Sequence, residues 1–223
     1  IYLENRSFNN LFADFPGLAE PLASVPAARL QQRDRDGSVL PTLPKIWGGI
    51  VPGRQNIGGK DYLIDEKQLT GLPNAPFKLT DGDGKPLPES IVTRDLVHQF
   101  YHNQMQINGG RNDGFAAWSD AGGMVMGYYG ETSKNLGLYQ IAREFTLCDN
   151  FFMAAFGGSY LNHQFLISGR VPEYFNASET AAKNKIVMQV GTQSRSTAHI
   201  MEDQSGAVTG SALRCGTITR VLG

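Results

Sequence analysis

At 223 residues, with 20 Lys and Arg against 21 Asp and Glu, the chain is long enough for one substantial core and is nearly neutral. That balance excludes a nucleic-acid footprint and an electrostatic membrane anchor, and no apolar run approaches the roughly 20 residues of a spanning helix. Hydrophobic residues at 41%, with 26 glycines and 11 prolines, specify a globular, loop-rich protein, and two cysteines, Cys148 and Cys215, without CxxC or Cys/His zinc spacing, exclude a disulfide framework.

The chain opens on Ile1-Tyr2-Leu3, an apolar, β-prone run with no methionine before it, and passes at once to Glu4, Asn5 and Arg6-Ser7. Residues 1–8 read as a short strand and a polar turn. A chain that starts inside a strand is expected to have lost what preceded it, an export signal included. Residues 9–90 hold ten of the eleven prolines, with turn clusters "GLPNAP" and "DGDGKPLP", and read as an elaborated, cap-like insertion with short helices such as "LASVPAARLQQRDRDG".

From Thr93 the texture changes. "TRDLVHQFYHNQMQIN" predicts a helix capped at Thr93, with Leu96, Val97, Phe100, Tyr101 and Met105 at helical spacing, broken by "GGRNDGF". "SKNLGLYQIARE" predicts a second amphipathic helix starting at a Ser or Asn cap. "FTLCDNFFMAAF" reads as a buried strand ending at Gly157-Gly158-Ser159, and "SYLNHQFLIS" as a further helix stopped by Gly169. This alternation predicts an α/β sheet with ligands at the carboxyl ends of its strands, so that Glu4-Asn5 and Ser159 would meet on one rim. None of the 12 Phe, 8 Tyr and 2 Trp lies after residue 186. Residues 187–223 are therefore expected to be an atypical tail, disordered or not native to the domain.

A serine after a strand and two glycines suits an anion site at a helix N-terminus, and it suits a plain N-cap equally. Leu161 stands where a G-x-S-x-G nucleophile elbow needs its last glycine, which weakens a carboxylesterase reading. Asn162 and His163, three and four residues on, share the helix face of Ser159, where a histidine could steady a phosphoryl oxygen or simply face solvent. His98 and His102 have the i, i+4 spacing of a two-histidine metal site but lack the Glu of H-E-x-x-H. Asp113 follows a Gly-Gly turn and reads as a turn or cap residue. Glu4 and Asn5 offer a carboxylate and an amide oxygen, the ligand types of a hard divalent cation, or a solvated turn.

Three blocks carry a resemblance. "YLENRSFNNLFADFPG" resembles the ENRSFDH-type opening of the phosphoesterase family of bacterial phospholipases C, plant non-specific phospholipases C and AcpA-like acid phosphatases. "DLVHQFYHNQMQINGGRNDGF" is similar to its H-x10-GG-x-M/N-D-G-F segment, and "LGLYQIAREFTLCDNFFMAAFGGSYLNHQFLISG" to its central block, nearest the acid-phosphatase branch. The blocks span residues 1 to about 186 in order.

The resemblance implies an alkaline-phosphatase-like α/β/α sandwich, here incomplete, and metal-assisted hydrolysis of phosphate esters. By motif position Ser159 is similar to the hydroxyl nucleophile and also a metal ligand, with Glu4 and Asn5 as the metal pair and the metal unspecified. His98 matches a histidine at the phosphoryl group, and Asn162 a substrate-binding asparagine of the central block. His163 stands where phospholipase relatives carry Arg, which favours phosphate monoesters over lipids. Further metal-binding aspartates of the family's D-x-G-G-x-x-D-H-type segment have no counterpart after residue 186, so the chain is expected to be an inactive fragment of an exported enzyme. The alternatives are a phospholipase C-type phosphodiesterase, a non-catalytic remnant or binding protein, and a carboxylesterase. The implied partner is a phosphate-ester substrate, with no nucleic acid.

Overall fold

Ser7 starts the first helix. Its backbone is extended and its hydroxyl accepts the Asn10 amide at 3.2 Å, satisfying one of the four donors a helix start leaves unpaired. The helix α1 (Phe8–Phe12) that follows turns Leu11 and Phe12 inward, each worth about 1.5–3 kcal/mol when fully buried. The computed structural model describes residues 6–152, 156, 159–170, 173–175, 186–189 and 197–200, so the expected opening strand lies outside the described residues.

Between Pro16 and Glu89 the chain is largely irregular, as the prolines predict. It holds a short helix α2 (Ala27–Leu30), a hairpin of β1 (Gly53–Ile57) and β2 (Lys60–Ile64), and a two-residue strand β3 (Phe77–Lys78). The hairpin closes on Gly58-Gly59, with φ of +58° and +75°, the left-handed pair that a two-residue turn of matching twist requires. Antiparallel pairing sets Gly53 opposite Ile64 and Ile57 opposite Lys60, which aims Tyr62 and Ile64 into the core. β3 pairs in parallel with β4 (Gly127–Tyr128), Phe77 opposite Gly127.

Helix α3 (Phe100–Ile107) begins later than Thr93, where the periodicity placed it. The reason is a competing acceptor. Asp120 takes the Val97 amide at 2.9 Å on Oδ1 and the Arg94 guanidinium on Oδ2, so residues 93–97 are held outside a helix. The break at "GGRNDGF" is as expected, with left-handed backbone at Asn108, Gly109, Gly110 and Asn112. Helix α4 (Gly137–Glu144) is preceded by a 3-10 turn, Gly130–Asn135, and its N-cap is Leu136 rather than a Ser or Asn side chain.

The buried strand expected over 145–156 is not formed in its described part. Phe145 and Phe151 are 73% and 63% exposed, Leu147 packs against the core, and Asp149 Oδ2 accepts the Ala19 amide. An apolar run becomes a strand only where a neighbouring ladder accepts it, and no described strand lies beside this one. Helix α5 (Ser159–Ser168) has the expected bounds, and the Gly169 amide closes it on the Phe165 carbonyl.

Three further strands, β5 (Glu173–Phe175), β6 (Ile186–Gln189) and β7 (Thr197–Ile200), form an antiparallel sheet in the order β5-β7-β6. Two of them fall at or inside the expected tail; the remainder of 187–223 lies outside the described residues.

The chain is thus mixed α/β with small sheets, and it divides into two compact units. The first comprises Ile1–Val97 and Gln106–Phe151 with the last three residues, the second His98–Met105 and Phe152–Arg220. The first unit's core gathers Leu11, Phe12, Ile64, Leu79, Leu87 and Tyr129. Tyr139 of α4 seals it, its ring 4.8 Å from Phe15 and 6.0 Å from Phe12. In the second unit Phe100 of α3 packs with Leu161 of α5, and the Phe156 ring meets Phe100 edge-on at 4.9 Å.

Candidate functional site

Ser159 is the first residue of α5, so it stands where the helix presents unpaired amides. One turn on, His163 is exposed, and its Nδ1 lies 2.8 Å from the Ser159 carbonyl. A carbonyl only accepts, so Nδ1 carries the proton in this contact. Asn162, on the same stretch, is buried at 6% exposure. His98 precedes α3 and is half-buried; its carbonyl accepts from the Asn103 side chain at 3.1 Å. The Phe100–Leu161 contact joins the two helices, with His98 and Ser159 each two residues before a partner in that contact. All four of these side chains belong to the second unit.

Glu4 and Asn5 lie outside the described residues. Their neighbours serve structure. The Arg6 guanidinium donates to Asn10 Oδ1 at 3.1 Å and lies over the Tyr129 ring, 5.1 Å from its centroid. Asn10 returns its amide to the Gly127 carbonyl at 3.0 Å and accepts the Tyr129 amide on its own carbonyl at 3.0 Å. The "RSFNN" run therefore bolts α1 to the 127–129 segment, roles that nothing in the spacing announced.

Asp113 is a structural residue, as the turn reading had it. It is 8% exposed, receives Asn108 at 2.7 Å, and pairs with Arg33 and Arg111 at 3.2 and 3.5 Å. These partners hold the left-handed loop that ends α3. His102 has its Nδ1 buried without a hydrogen-bond partner, and no group of three His, Cys, Asp or Glu among the described residues could hold a metal ion. The two-histidine reading of His98 and His102 gains nothing from this.

Asp120 was not foreseen. Burial raises its pKa, but the Val97 amide and the Arg94 guanidinium outweigh that, and the carboxyl stays below its ordinary value of 3.8. Trp47 donates its indole N–H to the Asp120 carbonyl. The adjacent Gly49 leaves room for the 93–94 backbone, since a Cβ there would stand 2.3 Å from the Arg94 nitrogen. Two separated segments, 47–49 and Asp120, thus hold the residues just before His98.

The chain belongs to the phosphoesterase family, whose model matches residues 1–209, past the end of the three blocks. Membership points to hydrolysis of phosphate esters. No curated protein and no solved structure matches the chain.

Proposed function

We propose that the protein is an acid-phosphatase-like phosphomonoester hydrolase that uses Ser159 as its nucleophile, on an alkaline-phosphatase-like α/β/α sandwich, and that it is exported. The observation that carries this is the position of Ser159 at the first turn of α5, in one unit with His98, Asn162 and His163. The Ser159 Oγ bonds to phosphorus as the bond from phosphorus to the substrate alcohol breaks, and the alcohol leaves with a proton. Water then attacks the phosphoserine, the bond from phosphorus to Oγ breaks, and inorganic phosphate departs. In this reading His98 bears on the phosphoryl oxygens. His163, in its imidazolium form, donates from Nε2 to the leaving oxygen, because Nδ1 is already spent on the Ser159 carbonyl. Glu4, Asn5 and Ser159 are the residues that would hold a divalent cation, which when bound would neutralise charge and lower the serine pKa.

The test is incubation with an aryl phosphate and divalent metal, reading phosphate release and a phosphoryl adduct on the peptide containing Ser159. Both should vanish in Ser159→Ala while the helical circular dichroism is kept. An adduct at another residue, or rates in the alanine variant within a few-fold of the parent, would remove Ser159 from the mechanism.

A further inference from the structure

Helix α5 turns about 100° per residue, so Ser159, His163, Leu166 and Ile167 fall within one arc of about 100°. Leu161 and Phe165 lie on the other side, where they pack with Phe100 and fix the rotation of the helix. The serine's arc therefore points away from the packed side. Its far end is apolar and stands in solvent, with Leu166 55% and Ile167 84% exposed.

The open face of a surface helix ordinarily carries charged and polar side chains, yet α5 contains no Asp, Glu, Lys or Arg. Exposed aliphatics scattered singly need no explanation. This pair is placed otherwise, three and four residues beyond His163, where side chains on one helix are neighbours about 5–6 Å apart at Cβ. Side chains lean toward the start of their helix, which brings both aliphatic groups toward His163 rather than away from it.

We propose that Leu166 and Ile167 form the subsite for the alcohol part of the ester, and that this alcohol is apolar. The inference rests on the hydrolytic reading, in which phosphorus meets Ser159 and the leaving oxygen meets His163. The order of residues along α5 is then the order of groups in the substrate: phosphoryl group, bridging oxygen, carbon skeleton. His163 and Ile167 are separated by a rise of about 6 Å, a span that a chain of about four carbons covers. A polyol or a charged alcohol would give up water against these two side chains and find no polar partner on them.

The experiment compares n-butyl phosphate with glycerol 1-phosphate as substrates of the full chain with added magnesium or zinc. Both are alkyl esters, and glycerol is the better leaving group, so a preference for the butyl ester reports binding. Butyl phosphate should be favoured about ten-fold in kcat/KM. The double variant Leu166→Gln, Ile167→Gln should erase that preference by raising KM for butyl phosphate, with circular dichroism unchanged. Butylphosphonate, which is not an ester, should shift the Leu166 and Ile167 methyl resonances saturably, and methylphosphonate should not. Equal or better turnover of glycerol phosphate, a preference that survives in the double variant, or absent methyl shifts would each overturn the subsite while hydrolysis stands. Methyl shifts that follow protein concentration instead would give the face to a second copy of the chain and overturn it too. Saturable shifts without phosphate release from either ester would support the subsite and overturn the hydrolytic reading instead.

Discussion

Asp120 holds Val97 across 23 residues of sequence: its Oδ1 accepts the Val97 amide at 2.9 Å while Oδ2 is forked by Arg94, and the next residue along the chain is His98. The register of the segment leading into α3 is therefore set from outside that segment.

Replacing Asp120 should unmake this. Asp120→Ala should cost about 1–2 kcal/mol, since a charged hydrogen bond is worth about 1.5–3 kcal/mol and this one is partly solvated. Asp120→Asn keeps an acceptor for Val97 and should lose less. Hydrogen exchange at the Val97 amide separates the two: protection should fall in the alanine variant and persist in the asparagine one.

The same carboxyl predicts a pH response. Its folded pKa lies below the ordinary 3.8, so its contribution is complete above that value and disappears as pH falls through the lower, folded value. Val97 protection should be flat from pH 7 to about 5 and decline only in more acidic solution. A loss that began near neutrality would assign the tie to another group.

Tyr129 carries a hydroxyl that is buried, in a residue 1% exposed, with no hydrogen-bond partner. A buried unpaired polar atom costs about 1–3 kcal/mol, so Tyr129→Phe should leave Tm unchanged or raise it. Tyr129→Ala should cost about 3–5 kcal/mol through the cavity left beneath Arg6. A Tm drop of several degrees in the phenylalanine variant would show that the hydroxyl has a partner in solution.

On the proposed metal role, Glu4→Ala and Asn5→Ala should weaken divalent-metal affinity more than they change Tm, and added metal should partly restore function, because a bound cation would lose one oxygen ligand in each. Calorimetric metal titration with unchanged affinity in both variants would exclude the pair as ligands.

Helix α5 was legible to the residue, because its start and its glycine stop are both written locally. The start of α3 was not: the apolar spacing from Leu96 is genuine, but an acceptor at Asp120 removes a helical donor, and no window around Thr93 contains that information. The run from Phe145 was misread for the complementary reason. Its hydropathy fits a strand, yet pairing is a property of the neighbour, and the phenyl rings of Phe145 and Phe151 stand in solvent. Around Ser159 the helix was readable from local signals, whereas a chemical role for the serine came only with the resemblance, since glycines and a hydroxyl suit a plain N-cap as well. The ties made by Asn10 and Asp120 were hidden, because each acts through a backbone group far away in sequence.

The second unit borrows Phe100 from a stretch enclosed, in sequence, by the first. Neither unit is consequently a cassette that recombination could move. A gene piece beginning at Phe152 would encode Ser159, Asn162 and His163 without the phenyl ring that Leu161 packs against, and without His98. A piece ending at Phe151 would carry that ring with nothing to cover it. Coexpressed, the two pieces should reassemble; expressed singly, each should go to the insoluble fraction.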